Sequence, residues 1–429
     1  MTILKKIEEL SDEELQGLLY RQVGIQDMLL SVDEIIKGVA TRGDLALAQY
    51  TERFDGAILA TFRVEDSEID AAYDLVDGDL LETLAFAAEN IEAFHDEQRE
   101  KDLWLTEIAP GVTVGQKIVP IDSVGAYVPG GRATYPSSAL MTVIPAKVAD
   151  VPRVVVCTPP APDGTIPPLT LVAADMAGAD EIYKLGGVQA IAAMAFGTES
   201  IVPVEKIVGP GNAYVTAAKL LVRNTVEIDF PAGPSEVLII ADETAHPDVL
   251  AADMIAQLEH DPASISVLVT IDEVLAAAVA EEIETLALSA ERKEIVVQGL
   301  QRSAILVASS TEDAVNFAND FAPEHLEIVV GDGMDLLKGI RHAGSIFIGP
   351  HTPVAAGDYA SGTNHVLPTS GWARVFSGLN VDHFVKKITV QSLSPEGLDR
   401  LSEVIISLSE AEGLPGHAES VRRRLEKLG

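Results

Sequence analysis

The chain has 429 residues, 47% of them apolar and 22% charged, which is the composition of a globular protein of roughly two to four domains. Its formal net charge of −36 argues against nucleic acid and anionic membrane surfaces as partners, because both bind basic patches. The only cysteine, Cys157, excludes an intramolecular disulfide and fits a reducing compartment. No apolar run reaches about 18 residues and the N-terminal segment does not resemble a signal peptide, so we expect a cytoplasmic protein without a transmembrane helix.

Helical patterns dominate the beginning of the chain, and a mixed pattern follows. The segment LKKIEELSDEELQGLLYRQ is amphipathic, with the pattern of a capping box at Ser11 and Glu14. Residues 84–101 have apolar positions at helical spacing and predict a long helix. From about residue 112 to 350, short β-rich runs such as RVVVCT and EVLIIA alternate with Ala-rich helical runs such as PDVLAADMIAQLEH. This alternation predicts βαβ units and parallel sheets.

The predicted strands are too numerous for one sheet. We therefore predict an α/β protein with two incomplete Rossmann-like lobes, each with a parallel sheet, and helical extensions at both termini. The lobes should meet near Pro231–Ser235, where the cleft between them is a natural ligand site. The predicted boundaries are an N-terminal helical extension (1–22), a first lobe (23–107 and 236–377), a second lobe (108–235) and a C-terminal helical arm (378–429).

Two glycine-containing turns are candidate binding loops, although the dinucleotide fingerprint Gly-x-Gly-x-x-Gly is absent. In VGPGNAYVTAAK (208–219) a strand, a Gly-Pro-Gly-Asn turn and a helix follow one another, so the free amides of the helix could receive a phosphate or carboxylate. AYVPGGRATYPSSALM (126–141) offers the same possibility. Plain loop geometry explains the first turn more often than binding does, and explains the second nearly as well.

Several polar residues have a spacing that fits a metal or substrate site. Gln257 and His260 are three residues apart, hence on one helix face, and Asp261-Pro262 then ends the helix. A capping or solvent-facing histidine is the default interpretation of His260. Asp358 lies in the small-residue loop AAGDYASGTNHVLPT, where turn formation is the commoner role.

Near the C-terminus, Glu412 and His417 flank Leu-Pro-Gly, which breaks a helix. Both side chains could therefore face one pocket from a loop. Their residue types and spacing alone do not decide the role.

The adjacent residues Glu324 and His325 stand at an element boundary, in NDFAPEHLEI. Neighbours on a strand point to opposite faces, so these two are either unrelated surface residues or are brought into one cleft by a bent backbone. Cys157, in RVVVCTPP, has the pattern of a buried strand residue and is expected to be an inert core thiol.

Nine segments together resemble the histidinol dehydrogenase family. They are VGAYVPGG, PAKVA, GGVQAIAAMAFGT, VGPGNAYV, DFPAGPSEVLIIAD, QLEHDP, APEHLEI, AAGDYASGTNHVLPT and SGLNVDHFVKKITVQ, in the order of the family over roughly residues 110–420. The resemblance implies oxidation of L-histidinol through L-histidinal to L-histidine, with one NAD reduced at each step, as the last enzyme of histidine biosynthesis. It also implies Rossmann-like lobes that bind NAD in an unusual manner, which fits the missing fingerprint.

The resemblance implies roles for particular residues. His325 is the base of the alcohol step and Glu324 the base of the aldehyde step. NAD contacts fall to Tyr127, Gln189 and Asn212 in the second lobe. A zinc ion is held by Gln257, His260, Asp358 and His417, the last donated by the partner of a domain-swapped homodimer. Substrate contacts fall to Ser235, Gln257, His260, His325, Asp358, Glu412 and His417. Most catalytic and metal residues thus lie in the first lobe.

Zinc readily accepts imidazole nitrogen and carboxylate oxygen, and an amide oxygen suits a site that must also admit substrate. The same ligands accept manganese or cobalt, so the native metal is open. Two alternatives to the function also remain. The chain could oxidise another small polar alcohol, such as a sulfonated diol, or it could be a non-catalytic binding protein on the same fold.

Overall fold

The structure, a computed structural model, describes residues 3–21, 24–130 and 134–427. The strands are β1 (Ile3–Lys6), β2 (Leu103–Ala109), β3 (Val112–Pro120), β4 (Ser123–Tyr127), β5 (Arg153–Thr158), β6 (Glu181–Lys184), β7 (Lys206–Val208), β8 (Glu227–Ile228), β9 (Glu236–Ala241), β10 (Ile265–Thr270), β11 (Ala304–Val307), β12 (His325–Val329), β13 (Ser345–Ile348) and β14 (Val385–Leu393).

The helices are α1 (Asp12–Leu19), α2 (Leu29–Arg42), α3 (Asp44–Asp55), α4 (Asp66–Leu75), α5 (Gly78–Asp96), α6 (Pro136–Val148), α7 (Pro168–Met176), α8 (Gly187–Phe196), α9 (Ala213–Val222), α10 (Pro247–Leu258), α11 (Glu273–Ser289), α12 (Lys293–Leu300), α13 (Thr311–Phe321), α14 (Gly333–Leu337), α15 (Val354–Tyr359), α16 (Pro395–Ala411) and α17 (Pro415–Leu425). None of the helices in the described ranges is both long and apolar enough to cross a membrane.

A six-stranded parallel sheet forms the core of one lobe, in the order β1-β11-β10-β9-β12-β13. Every residue of β9 and β10 is buried, because helices cover both faces of the sheet. Separate apolar clusters fill the two faces, one with α10, α11 and α12 and the other with α13. The predicted N-terminal helical extension contains α1 but also β1, which pairs with β11 at the sheet edge.

A five-stranded parallel sheet forms the second lobe, in the order β6-β5-β4-β7-β8. Helices α6, α8 and α9 pack against this sheet and α7 packs on α6, while helices α2 to α5 pack against these four helices in turn. The boundaries drawn from the sequence had grouped residues 23–107 with 236–377 instead. The apolar face of α2, with Val32, Ile36 and Val39, lies in the same cluster as α8, which explains the observed placement.

The chain divides into two compact units, residues 1–98 with 122–383 and residues 99–121 with 384–429. The first unit holds both parallel sheets, which confirms the α/β class with two parallel lobes. The second unit consists of an antiparallel sheet in the order β14-β3-β2, followed by α16 and α17. The α-helices of the C-terminal arm thus begin only after residue 394, since residues 385–393 form β14 and only a short 3-10 helix (Val381–Phe384) precedes it.

Candidate active site

The adjacent residues Glu324 and His325 lie together in one buried site. Helix α13 ends at Phe321. The next residue, Ala322, has a left-handed backbone (φ 51°) that turns the chain before Pro323, and β12 begins at His325. Glu324 and His325 are only 6% and 4% exposed. The Glu324 Oε2 atom lies 3.4 Å from His325 Nδ1. Of the two interpretations left open by the sequence, the bent backbone that brings both residues into one cleft is the correct one.

The backbone of Glu236, the first residue of β9, contacts both members of this pair. Its N–H donates to Glu324 Oε2 at 2.7 Å, and its carbonyl oxygen lies 3.0 Å from His325 Nδ1. A carbonyl only accepts hydrogen bonds, so the Nδ1 atom carries a proton and, in the neutral imidazole, Nε2 keeps its lone pair. That Nε2 atom lies 3.6 Å from Asp358 Oδ1 and has no hydrogen-bond partner in the described part of the chain.

Electrostatics set the protonation of the pair. Burial raises the pKa of Glu324, although the neighbouring imidazole opposes this shift. Burial also disfavours the imidazolium of His325, but the carboxylates of Glu324 and Asp358 outweigh it and raise the pKa of His325 well above its ordinary value.

Helices α10 and α15 carry or precede three further candidates, and two of them, His260 and Asp358, interact electrostatically with His325. Helix α10 ends at Leu258, so His260 follows the helix instead of lying in its last turn as the sequence suggested. Asp358 lies in α15, where a loop was expected. Burial opposes the ionisation of Asp358, but its interactions with His325, His365 and His260 lower its pKa. Burial in turn lowers the pKa of His260, against the charge of Asp358.

These three residues offer donors that suit zinc, but they do not complete a zinc site. Gln257 is 3% exposed, and its buried Nε2 atom has no partner among the described residues, so its carboxamide is not committed to the fold. Imidazole nitrogen and carboxylate oxygen are ordinary zinc ligands, and His260 and Asp358 supply one each, but a catalytic zinc site has three such protein ligands. Within the described ranges, no group of three or more His, Cys, Asp or Glu side chains is arranged to hold a metal ion. The set fits zinc once another ligand is added.

The remaining candidates are Ser235, Glu412 and His417, which lie apart in the chain. Ser235 directly precedes β9, and its carbonyl accepts a hydrogen bond from Ile265 N–H at 3.2 Å. Glu412 directly follows α16, and His417 is the third residue of α17. Both of these are exposed and both belong to the second compact unit, not to the unit that holds Glu324 and His325.

The three residues matched to NAD contacts lie at the carboxyl edge of the five-stranded sheet. Tyr127 ends β4, Gln189 is in the first turn of α8 after β6, and Asn212 caps α9 after β7, with its Oδ1 accepting from Tyr214 N–H at 3.0 Å. The chain runs from β4 to β5 and β6 on one side and reaches β7 and β8 on the other. This makes β4 and β7 the topological switch point, where open α/β sheets bind ligands.

The glycine turn before α9 is built around a close backbone approach. Gly209 has φ 113°, and a Cβ atom there would meet the Tyr127 carbonyl oxygen at 2.2 Å. The Gly209 N–H donates to Asp229 Oδ2 at 2.8 Å, and its carbonyl accepts from Lys219 Nζ at 3.0 Å. Lys219 and Asp229 are themselves a buried ion pair. The other predicted glycine loop falls partly on residues 131–133, outside the described residues.

Two polar residues near these sites, His365 and Glu327, were missed by the sequence analysis. His365 lies with its Nδ1 atom 3.0 Å from the Asp358 carbonyl and its Nε2 atom 3.3 Å from Ser138 Oγ, so it links α15 to α6. It belongs to the quoted segment AAGDYASGTNHVLPT, which was the available signal. Burial raises the pKa of Glu327, two residues after His325, to about 8, and the nearby Asp253 adds to this. A lone Glu in an apolar strand gave no functional signal.

Cys157 is fully buried in β5, and burial raises the pKa of its thiol far above the ordinary range. The expectation of an inert core thiol is confirmed. Such a thiol is not a nucleophile at neutral pH.

The comparisons with known proteins agree with these motifs. A family model for histidinol dehydrogenase matches residues 20–425. The histidinol dehydrogenase of Methanosarcina barkeri is 54% identical over 424 residues, 99% of this chain and 98% of the relative. That of Natronomonas pharaonis is 50% identical, over 98% of this chain and 99% of the relative. The crystal structure of histidinol dehydrogenase from Elizabethkingia anophelis is 41% identical with a TM-score of 0.94, over 100% of this chain and 98% of that chain.

Both the family match and the relatives extend over nearly the whole chain, and they agree with the resemblance inferred from the nine segments. The chain belongs to the histidinol dehydrogenase family.

Proposed function

We propose that this chain oxidises L-histidinol through L-histidinal to L-histidine in two successive NAD-dependent steps, with zinc bound in the site. The observation that carries the proposal is the buried Glu324–His325 pair, held by the backbone of Glu236 beside Asp358, in a member of this family. Two proton-transfer groups in one cleft fit two oxidations of one bound substrate.

In the first step His325 takes the proton of the substrate hydroxyl, while a hydride passes to NAD from the carbon that bears this hydroxyl. The geometry supports this role because Nδ1 is held at the Glu236 carbonyl, which leaves Nε2 as the atom that can accept a proton. His325 must be neutral to do so. The products are L-histidinal, one NADH and one proton.

In the second step L-histidinal reacts as its hydrate, and hydride passes to a second NAD. A base must take a proton from water or the hydrate, and Glu324, whose pKa is raised by burial, suits this role. A thiohemiacetal route would need an accessible thiolate. Cys157 is buried in β5 and is the sole cysteine, so we propose the route through activated water.

Gln257, His260 and Asp358 would hold the zinc ion, together with His417 of a second copy of the chain. When bound, zinc would polarise the substrate oxygen and its positive charge would favour the neutral form of His325. The same residues, with Ser235 and Glu412, would bind substrate, and the Glu412 carboxylate suits the amino group of histidinol. Tyr127, Gln189 and Asn212 at the switch point would contact NAD.

A homodimer is proposed because the resemblance to the family assigns His417, a residue of the second compact unit, to the partner's site. The second compact unit also exposes many apolar side chains, among them Trp104, Ile108, Val404 and Leu408. Apolar groups at this density on a surface favour contact with another protein, and a second copy is the simplest partner. We also propose a cytoplasmic location, because a biosynthetic NAD-dependent reaction and a lone buried thiol fit that compartment.

The shared site is tested by substitution of His417. We expect His417→Ala to lose zinc during dialysis, while His351→Ala, at another exposed histidine, retains it. Co-expression of His417→Ala with His325→Ala should restore activity that neither variant has alone, because a mixed dimer contains one complete site. Unchanged zinc content in His417→Ala, or no recovery in the mixed dimer, would contradict a ligand shared between subunits.

The second candidate substrate, a sulfonated diol, is tested by comparing NADH formation from it and from L-histidinol. Glu412 and the candidate zinc ligands favour histidinol, because a sulfonate would be repelled by a carboxylate. Greater turnover of the sulfonated diol would contradict the proposal. A folded, zinc-loaded dimer that forms no NADH with either would favour the non-catalytic alternative.

A further inference from the structure

Arg21 and Glu236 form a buried ion pair directly behind the Glu324–His325 pair. The Arg21 Nε atom donates to Glu236 Oε1 at 2.7 Å and Nη2 donates to Glu236 Oε2 at 3.0 Å. Their side chains are only 2% and 3% exposed. A bidentate pair of this kind fixes the relative orientation of both residues as well as their distance.

Each end of this ion pair has further partners. The Arg21 guanidinium donates to the carbonyls of Leu18 at 2.7 Å and Phe321 at 2.9 Å, and it stacks 3.6 Å from the Phe321 ring centroid. Glu236 Oε1 also accepts from the N–H of Ser370 at 2.9 Å. The pair therefore joins the end of α1, the end of α13, the start of β9 and the loop at residue 370.

Backbone strain is concentrated at the same place. In the described part of the chain, three non-glycine residues have positive φ angles, and two of them are Ala322 (φ 51°) and Ser370 (φ 56°). Ala322 follows the carbonyl that Arg21 binds, and Ser370 supplies the N–H that Glu236 binds. Left-handed backbone at such residues is strained and persists only where surrounding contacts enforce it.

The peptide groups of Glu236 in turn orient the reacting side chains. Its N–H binds Glu324 and its carbonyl selects the Nδ1 proton of His325, as described above. We propose that Arg21 and Glu236 are positioning residues for the reaction, because the ion pair fixes residue 236 and the Ala322 turn from which Glu324 and His325 are aimed. This inference rests on the proposed dehydrogenase function and assigns it two residues that do not touch substrate.

The test compares Arg21→Lys with Arg153→Lys. The control residue Arg153 makes a similar two-point contact with Glu181, at 2.7 and 3.3 Å, in the other lobe. Lysine keeps the charge but loses the two-point contact in both variants. Arg21→Lys should lower kcat for L-histidinol and for L-histidinal by roughly 10- to 100-fold, with zinc content and KM for NAD near the parent values. Arg153→Lys should keep kcat within about twofold.

A double variant distinguishes a positioning role of Arg21 from a role in the stability of the fold alone. If Arg21 acts through Glu324, adding Arg21→Lys to Glu324→Gln costs the aldehyde step much less than it costs the parent enzyme. A purely structural role would make the two losses multiply, and that result would overturn the inference. So would a folded Arg21→Lys enzyme with parental kcat. If Arg21→Lys does not fold, the isosteric Glu236→Gln is measured in the same way, with a smaller loss of kcat expected.

The parent enzyme is assayed alongside these variants. A parent that forms no NADH from L-histidinol contradicts the proposed function itself. An active parent with an unaffected Arg21→Lys variant contradicts only the positioning role.

Discussion

At the scale of single residues, the proposed function assigns the two oxidation steps to different bases, His325 for the alcohol and Glu324 for the hydrated aldehyde. Glu324→Gln removes the base proposed for the hydrated aldehyde but leaves His325 and its contact with the Glu236 carbonyl. We therefore expect the oxidation of L-histidinal to fall by roughly 100-fold or more, and the oxidation of L-histidinol to fall much less. Single-turnover NADH formation from each substrate measures the two steps separately.

Glu327→Gln is the matched control. Glu327 is a buried carboxyl on β12, the strand that begins at His325, and it has no proposed role in proton transfer. It should leave the ratio of the two rates unchanged. Equal losses of both steps in Glu324→Gln would contradict the division of labour.

Asp55, at the end of α3, predicts a pH dependence of stability. Burial raises the pKa of its carboxyl from 3.8 to about 6, although a hydrogen bond from Gln189 Nε2 at 3.3 Å opposes this. A folded-state pKa above the unfolded one means that Asp55 contributes stability below about pH 4 and that this contribution is lost as the pH rises through about 6.

Asp55→Asn removes the loss of stability that ionisation of the Asp55 carboxyl causes. After allowance for partial exposure, we expect the variant to exceed the parent by about 1–2 kcal/mol in unfolding free energy at pH 8, and by less at pH 5. Urea unfolding at both pH values measures the difference, with the exposed substitution Asp74→Asn as control. An equal effect at pH 5 and pH 8 would show that ionisation of Asp55 is not the cause.

Candidate site residues with characteristic side chains in recognisable motifs could be predicted from the sequence. A residue that contributes through its backbone atoms could not. Glu324, His325, Gln257, His260 and Asp358 stand in recognisable segments. The role of Glu236 depends on its N–H and carbonyl, which every residue except proline has, so its sequence carries no signal. The contact between Arg21 and Glu236 joins positions 215 apart in the chain and depends on the tertiary fold.

At the scale of elements, the turn between β7 and α9 is the most constrained connection of the proposed NAD site. Gly209→Ala would place a Cβ atom 2.2 Å from the Tyr127 carbonyl oxygen, in a backbone region that suits glycine. We expect about 2 kcal/mol or more of lost unfolding free energy and at least a tenfold weaker affinity for NAD. Calorimetric titration with NAD and urea unfolding measure the two effects.

Gly17→Ala in α1 is the control, since its Cβ atom would meet nothing within 4 Å. Alanine should stabilise that helix by about 0.5–1 kcal/mol. A Gly209→Ala protein that is destabilised but binds NAD as the parent does would place the cofactor elsewhere.

The sequence predicted those strands and helices whose buried residues form a clear apolar pattern. The strands of both parallel sheets appear in the sequence as apolar runs, because both of their faces are covered. Strand β14 was missed because most of its residues are exposed, so VKKITVQSL has no apolar alternation that faces a core. The packing of α2 to α5 on the second lobe was also not predictable, because an apolar helix face does not specify its partner.

At the scale of the whole molecule, the proposed catalytic site and the proposed NAD contacts lie at opposite strand ends of the two parallel sheets. Glu236 and His325 begin β9 and β12, so the proposed catalytic site lies at the amino edge of the six-stranded sheet. The proposed NAD contacts lie at the carboxyl edge of the five-stranded sheet. In the proposed function, one lobe would supply proton transfer and metal ligands, and the other would supply the switch point for NAD. A Rossmann-like architecture would then serve an NAD-dependent reaction without the glycine fingerprint.

The most direct test is the amount of NADH formed from a limiting quantity of L-histidinol by the purified protein, measured as isolated, after chelation, and after zinc is restored. We predict two NADH per L-histidinol, loss of this activity on chelation and its return with zinc. One NADH per L-histidinol would contradict the second oxidation, and full activity in the chelated protein would contradict the metal site. No NADH from the zinc-loaded dimer would contradict the proposed substrate.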